Sequence, residues 1–416
     1  MRITIITAGS RGDIQPFVVL GCALQQAGYT VRLAAPINFA SFIQQQDLEF
    51  FPLRGDIQQV MSSETGRAFM ENAGANPIKT VRAMHKMLDP IAMQIADDAY
   101  AACEDADAII CIGVLALFGD TIAQKRGIPL INAEPTPLLP TRSFPAPGWP
   151  LRTGPGSWHN YFSGVCMLSF IWLWYRPFVN RFRKKLGLSP YTASSFQNIL
   201  SDNPLLGAYS SITVPHPADW PDHAYITGYW FMDIPAWQPP PSLAAFLDVG
   251  DPPVYIGFGS MIGREPEQTA KLILEALARS GQRGVLLTGW GGMQTLDIPS
   301  NVLVLESAPH SWLFPRMAAV VHHGGAGTTA EGLRAGVPSI IVPFIVDQPF
   351  WGERIELLGV GPQPIPRKQL TADKLAQAIH TAVTDQQMCQ AAAIVGRAIR
   401  AEDGVGEAVN MVRRLL

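Results

Sequence analysis

The chain has 416 residues, which is long for a single hydrophobic core and predicts two domains of roughly 200 residues each. Hydrophobic residues make up 48% of it and charged residues only 16%, so the composition excludes a disordered protein and favours well-buried α/β layers. A net charge of −3 gives no electrostatic basis for binding nucleic acid.

The five cysteines show neither CxxC nor Cys/His metal spacing, so we expect reduced thiols in a cytoplasmic protein. The apolar residues at the start, Met1 to Thr7, are too few for a secretory signal peptide. The longest apolar run, Tyr161 to Tyr175, is shorter than the ~20 residues that span a bilayer.

The N-terminal residues predict a βαβ unit, with a strand at Arg2 to Thr7, a helix at Ile14 to Ala27 and a strand at Tyr29 to Ala34. Gly9 and Gly12 follow the first strand, but no third glycine comes at dinucleotide spacing. The pattern therefore does not favour an NAD site.

Asp13 lies where this first strand gives way to the helix. Two interpretations are open from the residues alone. The carboxylate is either the helix N-cap, which the residues favour, or a functional group at the carboxyl end of a strand, where α/β proteins bind ligands.

Further alternation is predicted in four elements, namely helices at Pro90 to Glu104 and Gly119 to Arg126 and strands at Ala108 to Ile112 and Pro129 to Asn132. Asp105-Ala106-Asp107 is similar to a metal-binding DxD motif, but its position favours a solvated helix end. Asp120 is a candidate second carboxylate near an acceptor, although a helix N-terminal aspartate explains it as well. His85 and His159 are interpreted as ordinary surface or pocket histidines.

Seven prolines between Glu134 and Pro155 predict a loop. The apolar run at 161–175 leads into basic residues that end at Lys185, the order expected of a segment on a membrane surface. A helix lining an internal pocket is the favoured alternative, and both hold if the acceptor is lipophilic.

The proline-rich stretch 214–250 predicts an interdomain linker. A second alternating series follows it, with strands at Val254 to Phe258, Gly284 to Thr288 and Val302 to Leu305 and a helix at Glu267 to Ala278. Both halves therefore predict doubly wound, Rossmann-like α/β domains that face each other across a cleft.

A strand at Met317 to Val321 leads through a glycine-rich turn into a helix at Thr329 to Ala335. Such a turn presents free backbone N–H groups and the positive end of a helix dipole to an anion. His323 can donate to a phosphate oxygen, and Gly325 and Gly327 permit close approach of the backbone. A glycine-rich turn that only lets the helix pack tightly remains open from the glycines alone.

Two further groups extend this interpretation toward a sugar nucleotide. The hydroxyl of Thr328 lies on the first turn, and the carboxylate of Glu331 lies one turn later, where it suits the vicinal hydroxyls of a ribose. The next strand, Ser339 to Pro343, leads to Asp347 and Gln348, which suit sugar hydroxyls.

Residues 301–365 resemble the C-terminal signature of family 1, GT-B-fold, UDP-sugar-dependent glycosyltransferases. The branch they resemble contains the sterol glucosyltransferases and the macrolide and glycopeptide antibiotic glycosyltransferases. The segment from Ser307 to Phe314 resembles the branch's base-contacting segment, and His322 to Glu331 its diphosphate-ribose segment. The N-terminal motif from Gly9 to Pro16 also matches, and its aspartate is the family's proposed general base.

The resemblance implies that Asp13 is the catalytic base and that the donor is bound by Gly259, Ser260, Trp290, Ala308, His310, His323, Gly325, Gly327, Thr328, Glu331, Asp347 and Gln348. The acceptor is expected to contact Arg11, Trp158, Phe162, Phe170 and Trp174. Plant members carry a uracil-stacking tryptophan where this chain has Ser307, so Trp290 is proposed to supply the ring instead.

The implied architecture is a GT-B fold with an acceptor-binding domain at 1–213, a linker at 214–250, a donor-binding domain at 251–395 and a terminal helix at 396–416 that crosses back. The expected reaction is inverting, metal-independent transfer of a hexose, taken as glucose, from a UDP-sugar to a hydroxyl of a lipophilic acceptor. No cofactor is expected, and 161–185 is a candidate for peripheral membrane contact. A UDP-sugar 2-epimerase and a non-catalytic sugar-nucleotide-binding protein are the alternatives.

Overall fold

The computed structural model describes residues 1–55, 77–149, 154–233, 237–258, 266–287, 297–344 and 347–416. The chain divides into two compact α/β units. Unit 1 comprises Met1–Ser211, Pro215–Met232 and Asp403–Leu416, and unit 2 comprises Ile212–Val214 and Asp233–Glu402. Each unit has its own parallel sheet covered by helices, which is a Rossmann-like architecture.

Unit 1 contains a seven-stranded sheet in the order β3-β2-β1-β4-β5-β6-β7 among the described residues. Its strands are β1 (Arg2–Ile6), β2 (Thr30–Pro36), β3 (Glu49–Leu53), β4 (Ala108–Ile112), β5 (Leu130–Glu134), β6 (Leu205–Gly207) and β7 (Ala224–Ile226). Its helices are α1 (Arg11–Gln26), α2 (Ala40–Gln44), α3 (Pro77–Ala102), α4 (Ala116–Arg126), α5 (Trp158–Lys185) and α6 (Ala193–Asp202), and the terminal helix α14 (Gly404–Leu415) packs against α1. β4 and β5 are buried at every position, as parallel strands covered on both faces must be.

Unit 2 contains a five-stranded sheet in the order β10-β9-β8-β11-β12 among the described residues. Its strands are β8 (Val254–Gly257), β9 (Gly284–Leu287), β10 (Val302–Leu305), β11 (Ala319–His322) and β12 (Ser339–Ile341). Its helices are α7 (Pro241–Leu247), α8 (Pro266–Ser280), α9 (His310–Leu313), α10 (Ala326–Ala335), α11 (Gln348–Leu357), α12 (Ala372–Thr384) and α13 (Gln386–Arg400).

Alternate residues of the unit 2 strands enter two separate apolar clusters. Val254 and Ile256 of β8 pack into a cluster with Ile379 of α12, whereas Tyr255 packs into another with Leu313 of α9. This period of two is the strand periodicity, and it shows that the sheet is buried on both faces.

All paired strands run parallel, so their carboxyl ends meet at one edge of each sheet. In unit 1, Ile6 pairs with Cys111 and Ile112 pairs with Ala133, which aligns the ends of β1, β4 and β5. In unit 2, His322 pairs with Gly257 and with Ile341. Ligands of open α/β sheets bind at this edge.

Several predicted boundaries differ from the structure. The helix predicted from Pro90 begins at Pro77, the helix predicted from Ile14 begins at Arg11, and the helix predicted from Thr329 begins at Ala326. Sequence reasoning placed the last two starts too late because it treated the flanking glycines as loop, whereas Gly12 and Gly327 lie inside the first helical turns.

The predicted linker 214–250 contains two regular elements. It contributes β7 to the unit 1 sheet and α7 to unit 2, so its prolines flank regular elements rather than forming a free connection. The predicted terminal segment 396–416 is also divided between the two units. Gly396 lies in α13 of unit 2, and only residues from Asp403 onward belong to unit 1.

Candidate active site

Asp13 is the third residue of α1, and Ser10 is the N-cap. The Oδ2 atom of Asp13 accepts hydrogen bonds from the Ser10 backbone N–H at 2.7 Å and from the Ser10 hydroxyl at 2.9 Å. Its carboxylate therefore has the reciprocal role of a capping box, and the interpretation of Asp13 itself as the N-cap is wrong by three positions. Both hydrogen bonds from Ser10 go to the same carboxylate oxygen, so the capping role of Asp13 is compatible with a role in catalysis.

The carboxylate of Asp13 lies directly over Gly9, where an added Cβ would come within 2.4 Å of Oδ2. Burial raises its pKa above the ordinary aspartate value, and the two Ser10 hydrogen bonds oppose that rise. A raised pKa makes the carboxylate a better proton acceptor than an exposed aspartate.

Glu134, which sequence reasoning missed, is a second carboxyl group at this sheet edge. It ends β5, is 3% exposed, and is close enough to Asp13 for the aspartate charge to raise its pKa. The signal that could have found it is an acidic residue at the end of the buried run Leu130–Glu134, immediately before the proline-rich loop.

The five predicted acceptor residues lie in two parts of unit 1. Arg11 is exposed, and its Nε donates to Gln15 at 3.1 Å. On α5, Trp158 and Phe162 are 67% and 58% exposed, whereas Phe170 and Trp174 are half-buried. α5 thus has an outward aromatic face and an inward one, and the predicted acceptor contacts stay a prediction.

In unit 2 a tight turn connects β11 to α10. Gly324 has a φ of +88°, which glycine adopts readily, and its N–H donates to Nδ1 of His322 at 3.1 Å. Gly325 is the N-cap of α10, and its carbonyl accepts from the N–H of Thr329 at 2.9 Å. Thr329 carries the first N–H that bonds within the helix, so the N–H groups of residues 326–328 have no acceptor inside it and point out of the helix end.

His323 covers this turn. An added Cβ at Gly325 would lie 2.6 Å from Nε2 of His323, so the glycine is what lets the imidazole lie against the helix N-terminus. Burial lowers the pKa of His323 to about 4, which keeps the ring neutral at physiological pH. A neutral imidazole beside free N–H groups offers a donor to an anion without bringing a charge of its own.

Glu331 lies one turn further along α10 and is 8% exposed. Burial raises its pKa to about 7, the charge of Arg334 lowers it, and that of Asp233 raises it. Arg334 also forms an ion pair with Asp233 at 2.7 Å. Thr328 is half-buried on the first turn of α10, His323 lies in the turn before the helix, and Glu331 is the sixth of its ten residues.

Ala308 and His310 lie before and at the start of α9. The His310 ring stacks on Phe314 with the centroids 4.4 Å apart, and its Nε2 is 3.2 Å from the Tyr255 hydroxyl. Ala308 packs against the cluster that contains Leu313. These contacts fix the imidazole and leave the predicted contact to a nucleobase as a prediction.

Asp347 and Gln348 form the start of α11. Asp347 is the N-cap, and its Oδ2 accepts from the indole N–H of Trp351 at 2.9 Å. The Oε1 atom of Gln348 accepts from the N–H of Phe344 at 2.7 Å. Both side chains are therefore held in place. Three further predicted donor residues, Gly259, Ser260 and Trp290, lie outside the described residues.

The remaining acidic candidates have structural partners. Asp105 pairs with Arg32 at 2.6 Å, and Asp107 accepts from the N–H of Arg2 at 2.7 Å, which agrees with a non-metal role for this DxD. Asp120 accepts hydrogen bonds from the Tyr191 hydroxyl and the Asn203 amide. Of the two histidines, His85 bonds to the carbonyl of Trp174 and His159 accepts from the Trp149 indole.

Two family models match parts of the chain. Residues 3–145 match the glycosyltransferase family 28 N-terminal domain, and residues 284–414 match the erythromycin biosynthesis protein CIII-like C-terminal domain. Among solved structures, the glycotransferase of kitacinnamycin superposes with a TM-score of 0.75 at 20% identity, covering 100% of this chain and 99% of that one. The two units are therefore those of a GT-B-fold protein.

Similarity to individual curated proteins narrows the class of GT-B-fold protein to which the chain belongs. A sterol 3-beta-glucosyltransferase of Arabidopsis thaliana is 40% identical over 99% of this chain, which spans 65% of that relative's length. The O-mycaminosyltylonolide 6-deoxyallosyltransferase of Streptomyces fradiae is 36% identical over 99% of this chain and 97% of its own. The chain belongs to the glycosyltransferase family that includes the sterol and macrolide glycosyltransferases, and is a transferase.

Proposed function

We propose that the protein transfers a hexose, taken as glucose, from a UDP-sugar to a hydroxyl group of a lipophilic acceptor. Family membership supports glycosyl transfer, and the Arabidopsis relative is by name a glucosyltransferase that acts on a sterol. The Streptomyces relative is by name a 6-deoxyallosyltransferase that acts on O-mycaminosyltylonolide. An apolar alcohol is the chemistry that these two named acceptors share.

The observation that carries the donor assignment is the start of α10. The His323 ring, held neutral by burial, lies against the N-cap residue Gly325, next to the N–H groups of residues 326–328, and Glu331 follows one turn later. A diphosphate fits the N–H groups and the imidazole, and a ribose fits the carboxylate. Asp347 and Gln348 are proposed to bind the hexose, Ala308 and His310 the base.

In this proposal Asp13 accepts the proton of the acceptor hydroxyl while its oxygen attacks the anomeric carbon. The C–O bond to the diphosphate breaks as the new glycosidic bond forms, so a single displacement inverts that carbon. The helix N-terminus and His323 stabilise the departing diphosphate, a task that requires no metal ion. The acceptor contacts Arg11 and the α5 aromatic residues, among them Phe170 and Trp174.

The test is to incubate the purified protein with UDP-glucose and a panel of sterols, terpenoids and macrolides in the presence of a chelator, and to detect products by mass. We expect a hexosylated product whose anomeric proton coupling shows inversion. Strict loss of transfer on chelation contradicts the metal-free mechanism, and retention contradicts the single displacement.

Two outcomes favour the alternative functions. Release of a 2-epimer from UDP-GlcNAc without any acceptor would indicate an epimerase. Titratable UDP-sugar binding with no transfer to any alcohol in the panel would indicate a binding protein. In either case the proposed reaction is wrong.

We also propose that α5 contacts a membrane surface. The helix is long and apolar enough by composition to span a membrane, and 33% of its most apolar window is buried. Its exposed stripe starts with Trp158, Phe162 and Leu173 and continues with Arg176 and Lys184, which suits anionic lipid rather than a spanning segment. All five cysteines are unpaired, which supports the proposed cytoplasmic location.

Sedimentation with vesicles tests this contact. We expect binding to vesicles that contain phosphatidylglycerol, weaker binding to pure phosphatidylcholine, and loss at high salt. Leu173→Ser should weaken binding, whereas Ile394→Ser, which changes an equally exposed apolar residue of α13, should not. Equal binding by the two variants contradicts the proposal.

A further inference from the structure

Glu134 is a buried carboxyl group that the proposed reaction does not use. It is 3% exposed at the end of β5, and its Oε1 has no hydrogen-bond partner among the described residues. Two residues earlier on the same strand, Asn132 is fully buried, and its amide nitrogen and oxygen also lack partners there. Buried polar groups in this state are rare and carry an energetic cost, so their presence at a ligand-binding edge calls for a role.

The neighbouring strand is built around this carboxyl group. Cys111 pairs with Asn132 and Ile112 with Ala133, so Gly113 is the next residue across from Glu134 and its Cα faces the same side of the sheet. An added Cβ at Gly113 would lie 1.4 Å from Oε1, which is a hard clash. The glycine thus leaves the space that the carboxyl group fills.

The surroundings of Glu134 disfavour a negative charge. The ionisable groups that face it are Asp13 of α1, Cys111 of β4 and Tyr209 after β6. No described Lys, Arg or His lies within salt-bridge distance of it. Burial and the charge of Asp13 raise the pKa of Glu134 well above the ordinary value, and the Gly113 N–H opposes this rise only partly.

We propose that Glu134 is a positioning residue that stays protonated at neutral pH, holds the turn at Gly113 beside Asp13, and leaves this sheet edge with a single negative charge, on Asp13. The inference rests on the proposed role of Asp13 as base. A second buried anion at this place would repel the Asp13 carboxylate and draw water into the packed sheet edge. The protein should therefore lose activity at alkaline pH, where Glu134 ionises in the folded state.

The sign of the stability change follows from the raised pKa. A group whose pKa is higher in the folded than in the unfolded state stabilises the fold below its unfolded pKa, and this contribution is lost as the pH rises through the folded value. For Glu134 the loss begins above the ordinary glutamate pKa of about 4.3 and continues up to the raised pKa of the folded state. A glutamine, which cannot ionise, should remove that loss.

The experiment compares melting temperatures of the intact protein and Glu134→Gln at about pH 5 and about pH 8. We expect the difference in melting temperature, Glu134→Gln minus wild type, to be several degrees larger at the higher pH than at the lower one. Glu104→Gln, which changes an exposed glutamate of the same unit, should show no such change. An infrared difference spectrum of wild type minus Glu134→Gln at neutral pH should contain the C=O band of a protonated carboxyl group.

The pH dependence of activity distinguishes the proposed role of Glu134 from a merely structural one. Glu134→Gln should keep transfer within about threefold at neutral pH and lose the alkaline decline of kcat/KM, because that decline reports ionisation of Glu134. An unchanged alkaline decline, or an ionised carboxylate band for Glu134, overturns the proposal. Since melting and infrared data need no substrate, they decide it even if the protein shows no transfer.

A second pair of variants tests the packing. Gly113→Ala should lower the melting temperature because of the clash with the Glu134 carboxyl group, and it should lower it much less in a Glu134→Ala background. Equal loss in both backgrounds means that Glu134 does not hold the Gly113 turn, and it overturns that part of the proposal.

Discussion

The carboxyl edges of the two sheets hold ionisable groups of opposite kinds. In unit 1 they are two acids, Asp13 and Glu134, which burial shifts toward the protonated form. In unit 2 an imidazole, His323, is held neutral by burial beside a helix N-terminus. In our proposal, the same architecture serves one edge that accepts a proton and another that binds an anion, and the side chains at the strand ends make the difference.

The largest expected effect comes from removing the proton acceptor. Asp13→Asn retains an oxygen that can accept from the Ser10 N–H, so the fold should persist, yet the amide cannot take a proton. We expect turnover to fall roughly 10²- to 10⁴-fold with affinity for UDP-glucose nearly unchanged. Steady-state kinetics and calorimetry measure the two quantities.

Asp47→Asn is the matched control because Asp47 is exposed and its backbone conformation, with a φ of +57°, suits asparagine. Turnover of Asp13→Asn near that of this control would show that the proton has another acceptor. The proposal that the unit 1 sheet edge accepts the proton would then be wrong.

The second effect is on donor affinity. His323→Ala removes a donor to a charged phosphate oxygen, a bond worth about 1.5–3 kcal/mol, so the Kd for UDP should rise roughly 10- to 100-fold. His380→Ala, on the exposed face of α12, serves as control. An unchanged Kd in the His323 variant would show that the imidazole does not contact the bound anion.

A smaller effect should follow from Gly327→Ala. An added Cβ there meets nothing within 4 Å, and alanine favours a helix by about 1 kcal/mol, so the melting temperature should not fall. If a diphosphate approaches this first turn, the methyl group should weaken UDP binding several-fold. Gly154→Ala, also in open space, is the control, and equal Kd values for the two would place the diphosphate elsewhere.

The smallest effect is a pH dependence of donor binding. The pKa of Glu331 is raised to about 7, and only the ionised carboxylate accepts from both ribose hydroxyls, so affinity should increase a few-fold as the pH rises through 7. The same raised pKa means that the stabilising contribution of Glu331 to the fold is lost over that rise.

UDP-glucose is the ligand of choice for this measurement because it lacks the terminal phosphate proton that UDP loses near pH 6. Glu331→Gln should bind it with a flat pH profile between about pH 6 and 8, a range in which His323 does not titrate. A wild-type profile that is already flat contradicts a carboxylate contact to the ribose.

The residues by themselves determined much of this protein. Buried runs such as Ala108–Ile112 predicted strands, and the glycine turn before α10 predicted an anion site, because strand periodicity and helix ends are local properties. The predicted linker was wrong in its extent because prolines also flank short elements such as α7, and sequence spacing does not separate these two uses.

Only the tertiary structure decided the role proposed for Glu134, because its burial, its contact with Gly113 and the effect of the Asp13 charge on its pKa join residues far apart in the chain. The same holds for α14, whose local sequence predicts a helix but whose packing against α1 depends on the whole unit. A pKa is set by solvent exclusion and by nearby charges, and both exist only after distant strands have paired. The sequence thus determined which groups the sheet edges carry, and folding determined their charge.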